Sequence, residues 1–195
     1  KRPGWQEKVD IVSQRLLEQI EILSNTASEF SFFAGSYGMP VGDVNIEETL
    51  REQVDLFNNR DDIRFEYVST VGEDSIVEAR HSQISRVFTN LITNAVQALD
   101  ASLPEEGGRI RVSIAPVDAG GRNGFRIAVE DNGPGVGAEN LDKLFVPNFT
   151  TKSSGTGLGL AICRRIVEQC QGTLEYSRSA LGGACFTIFL PAKDQ

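Results

Sequence analysis

From residue 5 to residue 34 the apolar positions of the chain fall on one helical stripe. Val9, Leu16, Leu23 and Phe30 recur every seven residues, and Val12, Ile20 and Ala27 widen the stripe. Charged Glu7, Lys8, Arg15, Glu18 and Glu21 take the other faces. The spacing predicts one long helix that packs against partner helices or folds back on its own domain. Gly35-Ser36-Tyr37-Gly38-Met39-Pro40 breaks it, so 35–41 reads as a linker. Beyond the linker the periods shorten and alternate, as in a compact domain over 42–195. A strand at Val44–Ile46 leads into a helix from Glu47 to Phe57 with Leu50, Val54 and Phe57 on one face. Strands at Ile63–Ser69 and Ser75–Ala79 flank a turn at Val71-Gly72-Glu73-Asp74. Ser82 to Asp100 has the widest apolar face, made of Ile84, Val87, Phe88, Leu91, Ile92, Ala95 and Leu99. Strands at Ile110–Val117 and Gly124–Glu130, a helix from Leu160 to Gln171, and strands at Thr173–Ser177 and Ala184–Leu190 complete the series. Strands and helices in mixed order predict an α/β fold, a two-layer sandwich whose mixed sheet is covered by helices on one face.

Composition narrows the partners. The 195 residues are 40% hydrophobic, enough for one good core and an appended element. A net charge of −8 argues against a broad nucleic-acid surface, so any anionic ligand must be held by local N–H groups, a few cations and a metal. Cys163, Cys170 and Cys185 are odd in number and lack C-x-x-C spacing, and Cys163 and Cys170, seven apart on one helix, read as buried small hydrophobes in a reducing compartment. No apolar run approaches membrane-spanning length, no signal peptide is visible, and the opening Lys1-Arg2-Pro3-Gly4 reads as the edge of a longer protein.

The candidate chemistry lies between Val129 and Arg165. Here a strand drops into Asp131-Asn132-Gly133-Pro134-Gly135, and a polar loop leads to Gly155-Thr156-Gly157-Leu158-Gly159 at the start of a helix. Glycines at such turns permit positive φ or close approach of a ligand. A glycine-rich turn opening a helix presents unpaired N–H groups and the positive end of the helix dipole to a phosphate. The alternative is that these glycines only shape loops. The P-loop pattern is absent, and Leu160 stands where the dinucleotide-binding spacing after Gly155 and Gly157 needs glycine. A second cluster supports the nucleotide reading. Asn90 and Asn94, four apart, project from one face of an otherwise apolar helix, where buried amides need partners. An amide oxygen there suits Mg²⁺, although capping or surface polarity would also explain the pair.

Four blocks therefore stand in order: Asn90-Leu91-Ile92-Thr93-Asn94-Ala95, Asp131-Asn132-Gly133-Pro134-Gly135, Leu144-Phe145-Val146-Pro147-Asn148-Phe149-Thr150-Thr151-Lys152, and Gly155-Thr156-Gly157-Leu158-Gly159-Leu160. Together, over about residues 40 to 192, they closely resemble the asparagine, first glycine, phenylalanine and second glycine boxes of the sensor histidine kinase ATP-binding domain, in the gyrase/Hsp90/MutL-like superfamily. The Phe-Thr-Thr-Lys sequence is similar to that of the nitrogen-regulation branch. Residues 1–34 resemble the second helix of the dimerisation and phosphotransfer bundle.

The resemblance implies a Bergerat-type fold preceded by a long N-terminal helix, with ATP and Mg²⁺ as cofactors. Asp131 would accept from the adenine 6-amino group, with Gly133 and Gly135 letting the base lie against the backbone. Asn94 would hold the metal, Asn90 would stand beside it on the phosphate side, and Lys152 would meet the terminal phosphates. Phe149, Thr151, Gly155, Thr156, Gly157, Leu158 and Gly159 would complete the nucleotide site, and Phe145 and Phe149 would anchor a lid that is mobile without nucleotide. The implied partners are the acceptor-histidine domain of the same kinase, in a homodimer, and a response regulator. The implied location is the cytoplasmic portion of a membrane-anchored sensor, without membrane contact by this segment.

Two positions depart from many relatives: Gln97 replaces a Lys or Arg, and Ala184 replaces a Thr. His81, the single histidine, is followed by Ser82-Gln83-Ile84 and lacks the phosphoacceptor context, so the chain alone is expected to be inactive. Two other functions stay open: an ATP-hydrolysing clamp of the gyrase, Hsp90 or MutL kind, and a nucleotide-binding module without catalysis. Asn90 bears on the first, because those ATPases place a glutamate there to activate water and an amide is a poor base.

Overall fold

The computed structural model describes residues 40–72, 74–152 and 155–193, together with Trp5, Val9, Val12, Ser13, Leu16 and Ile20. Those six are helical, and the five apolar ones among them are exposed. The rest of the expected 1–34 helix, and most of the linker, lie outside the described residues.

The domain after the linker orders its elements as β1 (Gly42–Asn45), α1 (Ile46–Asp55), β2 (Ile63–Ser69), β3 (Ile76–Ala79), α2 (His81–Ala101), β4 (Gly108–Asp118), β5 (Asn123–Asp131), a 3₁₀ turn over Ala138–Lys143, α3 (Gly159–Gln169), β6 (Thr173–Arg178) and β7 (Ala184–Pro191). Five strands form the main sheet in the order β2-β4-β5-β7-β6, with β2 and β4 parallel and the other neighbours antiparallel. Alternation along β4 places Ile110, Val112 and Ile114 in the core, where Ile127 and Val129 of β5 and Ile188 and Leu190 of β7 join them. The helices cover this face. The opposite face carries Arg111, Ser113, Arg126 and Thr187 and is only half-buried to exposed. This is the two-layer arrangement expected from the sequence.

One pairing differs. The strands on either side of Val71-Gly72 do not form a hairpin: β2 joins the main sheet, whereas β3 turns away and pairs antiparallel with β1. Local alternation identifies a strand but does not choose its partner. Lys193 ties this small sheet down, its N–H donating to Ile76 O at 2.9 Å and its ammonium meeting Asp43 at 2.7 Å.

α2 organises the site. Its Ile84, Val87, Phe88, Leu91, Ile92, Ala95 and Leu99 are all buried. Burying each large apolar side chain is worth roughly 1.5–3 kcal/mol. That outweighs the weak helix propensity of Val87, Ile92, Thr93 and Val96, a few tenths of a kcal/mol apiece at about 0.7 or less. α3 begins at Gly159 without a side-chain cap and ends two residues before the expected Gln171, which is left-handed at φ 57°. At α1 the sequence signal is fully local: Asn45 Oδ1 accepts from Glu48 N–H at 3.1 Å, a side-chain N-cap.

Candidate nucleotide site

A second stripe runs along α2 beside the apolar one. Arg86, Thr89, Asn90, Thr93, Asn94 and Gln97 follow one another at helical spacing and line a cavity of about 630 Å³. The opposite wall is the loop from Phe149 to Lys152 and the turn of Gly155, Thr156, Gly157 and Gly159. A second cavity, about 800 Å³, continues toward the C-terminal end of α2, where Ala98, Asp131, Gly135, Val136, Ala184 and Phe186 line it. Asn94, Gln97, Leu144, Phe149, Thr151 and Lys152 border both. The two are compartments of one cleft laid along a helix.

Asp131 ends β5 at the floor of the larger compartment and is only 3% exposed. Its Oδ1 accepts from Gly133 N–H at 2.9 Å and from Ala184 N–H at 3.1 Å, which fixes the carboxylate and leaves Oδ2 for the cavity. Burial pushes its pKa above the ordinary carboxylate value; the N–H groups of Ala184 and Gly133 and the charge of Lys152 offset this in part. Gly183 is obligatory here, because a Cβ would collide with Asp131 Oδ1. Gly135 has φ 72°, and a Cβ there would press on Gly183 O at 3.3 Å. Asn132 braces the strand end, accepting from Arg109 N–H at 2.6 Å and donating to Gly107 O at 2.9 Å. Phe186 forms an apolar wall, with Tyr176 edge-on at 5.6 Å, and the Tyr176 hydroxyl accepts from Val136 N–H at 3.1 Å.

At the border between compartments, the Lys152 ammonium donates to Asn94 Oδ1 at 3.0 Å and to Gln97 Oε1 at 2.7 Å. Burial lowers the lysine pKa, and Asp131 partly opposes that shift. Lys152 is therefore a second anchor for the loop. Phe149, half-buried, borders both cavities, while Phe145 packs on the core with Arg164 over its ring at 5.4 Å. Among the described residues, Phe145 does the anchoring expected of both, while Phe149 lines the cleft. Asn90 Nδ2 donates to the buried Cys163 Sγ at 3.6 Å, which orients the amide from beneath. Cys163 and Cys185 are buried and Cys170 half-buried, all three as free thiols.

The glycine turn closes the smaller compartment. Gly157 has φ 69°, and a Cβ there would lie 2.6 Å from the Asn148 backbone, so only glycine fits the crossing. Gly159 faces Asn90, its ideal Cβ 3.8 Å from Nδ2. With no side chain capping α3, its first N–H groups and the positive end of its dipole open beside this compartment.

Of the residues singled out in the sequence, Asn90, Asn94, Asp131, Gly135, Phe149, Thr151, Lys152, Gly155, Thr156, Gly157 and Gly159 converge on the cleft. Gly133 and Leu158 line neither compartment. Gly133 holds Asp131, while Leu158 donates to Thr156 Oγ1 at 3.3 Å and accepts from Ile162 N–H at 2.9 Å, shaping the turn. Arg86, Thr89, Thr93, Ala98, Val136 and Phe186 were not anticipated as site residues. Extending the Asn90–Asn94 face by one helical turn each way would have found the four on α2. His81 is exposed at the first position of α2. Among the described residues there is no cluster of three or more His, Cys, Asp or Glu side chains suited to a metal, and no helix is long and apolar enough to cross a membrane.

Known proteins resemble this chain in sequence and fold. The sensor histidine kinase ZraS of Escherichia coli K12 is 30% identical over 185 residues, covering 92% of this chain, and the chain spans only 37% of that protein. The signal transduction histidine-protein kinase AtoS of the same strain is 35% identical over 133 residues, or 68% of this chain and 21% of AtoS. The solved catalytic domain of histidine kinase ThkA superposes with a TM-score of 0.67 at 32% identity, covering 79% of this chain and 97% of that domain. The sequence profile of the histidine kinase-, DNA gyrase B- and HSP90-like ATPases matches residues 79–194, from the end of β3 to beyond β7. Fold, cleft and sequence agree: the chain belongs to the family of histidine kinase-, DNA gyrase B- and HSP90-like ATPases.

Proposed function

We propose that this chain is the ATP-binding catalytic part of a two-component sensor histidine kinase, which binds ATP with Mg²⁺ and donates the γ-phosphoryl group to a histidine on a bundle helix outside this sequence. The observation that carries the reading is the polarity of the cleft along α2. Its larger compartment ends on the fixed Asp131 carboxylate, and its smaller one ends on glycine turns at the open N-terminus of α3. Adenine fits the first, since Asp131 Oδ2 can accept from an exocyclic amine. Phosphates fit the second, where N–H groups and Lys152 gather.

The donors on α2 suit a hard cation. Asn94 Oδ1 already receives the Lys152 ammonium at 3.0 Å, so this oxygen is turned toward positive charge in the cleft. Mg²⁺ held there would neutralise phosphate charge during transfer. Asn90, oriented through Cys163, stands at the phosphate compartment without the carboxylate a hydrolytic enzyme needs to activate water, which favours the kinase over a hydrolysing clamp. Transfer then depends on positioning and charge neutralisation.

Residues 1–34 are proposed as the second helix of the dimerisation bundle, with 35–41 as linker and 42–195 as the catalytic domain. The exposed helical Trp5, Val9, Val12, Leu16 and Ile20 support this, since they follow helical spacing and belong against another helix. A homodimer, the acceptor histidine of the same kinase and a response regulator are the corresponding partners, at the cytoplasmic side of a membrane-anchored sensor. In the full-length kinase, Asn94→Ala should abolish phosphoryl transfer while leaving the fold and its melting temperature nearly unchanged. Near-normal transfer by that variant in Mg²⁺ would leave Asn94 a structural residue and remove the metal assignment.

A further inference from the structure

We infer that Arg86 is a catalytic residue of this site, a second cation placed to contact the terminal phosphate of a bound nucleoside triphosphate. The inference rests on the nucleotide reading above and extends it along α2. Ala98 lines the compartment that contains Asp131, Asn94 and Gln97 border both compartments, and Asn90 and Arg86 line only the smaller one. From Ala98 to Arg86 the helix rises about 18 Å, at roughly 1.5 Å per residue. That is the length scale of an extended nucleoside triphosphate, so α2 acts as a ruler with the base at one end and Arg86 at the other.

The charges follow the same axis. The acidic side chains lining the cleft, Asp131 and Asp100, both belong to the base compartment. The cations are Lys152 at the border and Arg86 at the far end. Gly159, at the N-terminus of α3, faces Asn90, which puts the glycine cradle one helical turn short of Arg86. A phosphate chain running from Lys152 past that cradle would bring its last group to the guanidinium. Gln97, on the same stripe, offers only an amide and is already engaged with Lys152, so Arg86 is the cation that α2 itself contributes to the cleft. A guanidinium is suited to this role, because its planar donors match phosphate oxygens in pairs.

The test is calorimetry on the chain as it stands, with Mg²⁺, titrating ADP and a β,γ-imido analogue of ATP into wild type, Arg86→Gln and Arg86→Lys. Arg86→Gln should bind ADP within about twofold of wild type and lose about tenfold in affinity for the triphosphate analogue, the loss expected for one charge-assisted contact. Arg86→Lys should recover part of that loss, and raising the salt should narrow the wild-type preference for the triphosphate. Equal losses for both nucleotides, or no loss for either, would overturn the assignment of Arg86 while leaving the nucleotide site standing. Failure of the wild type to bind either nucleotide would overturn both.

Discussion

Asp131 shows how much a single side chain can specify. Two backbone N–H groups hold its Oδ1, so Oδ2 faces the cavity as an acceptor. Wild type should therefore prefer ATP to GTP, whose exocyclic carbonyl oxygen would set two acceptors against each other. In Asp131→Asn the amide oxygen must stay with Gly133 and Ala184, which turns the NH₂ group toward the adenine amine. Calorimetry should show adenine affinity falling by about one to two orders of magnitude, on the scale of a buried donor left unmatched, with the preference over GTP shrinking. Equal ATP and GTP affinities in wild type would sink the assignment. The buried carboxyl also fixes a pH dependence. Its folded pKa is raised, so whatever stability it contributes is present at low pH and is lost as pH rises through the folded value. Binding needs the ionised form, so ADP affinity should weaken on acidification with a midpoint above about 3.9, the ordinary aspartate value, and Asp131→Asn should not show that midpoint. Asp131 itself was legible, because it stands in a motif. Its supports were not: Ala184 and Gly183 lie more than fifty residues away, and only the β5–β7 pairing brings them beside it.

The elements most readable in the sequence were those with one strong period. The buried stripe of α2 appears there residue by residue, and so do the strands β2, β4, β5 and β7 to within a few residues. The loop over Asn148–Lys152 was harder, because its contacts belong to another element. Sequence offered two phenylalanines as anchors, whereas the structure uses Phe145 and the pair of Lys152 contacts to Asn94 and Gln97. The Lys152–Asn94 contact is part-buried and the Lys152–Gln97 contact exposed, and either can be exchanged for contacts to water or to a ligand. Amide exchange at 148–152 should accordingly be fast in the free protein and slow several-fold with ATP and Mg²⁺, when phosphate replaces the amide oxygens as partner of Lys152. Exchange already slow without nucleotide, and unaltered by it, would rule out a lid.

Taken whole, the molecule separates a rigid platform from the groups that act on it. The five-stranded sheet and the buried faces of α1, α2 and α3 form one core, and the cleft lies along the edge of α2 that this core leaves free. Layering and strand types followed from alternation and period. The partnership of β3 with β1 and the parallel pairing of β2 with β4 did not, since both depend on how the chain crosses over. The one histidine, His81, is exposed at the head of α2 and stands outside the phosphoacceptor motif, so it is not expected to serve as the acceptor. Incubating this chain with γ-labelled ATP and Mg²⁺ distinguishes a site that donates phosphoryl to a histidine elsewhere from one that hydrolyses ATP. Neither labelled protein nor appreciable release of phosphate is expected, because Asn90 cannot activate water and His81 stands outside the acceptor motif. Rapid phosphate release would instead mark a hydrolysing site, and acid-labile label that disappears in His81→Gln would make His81 the acceptor.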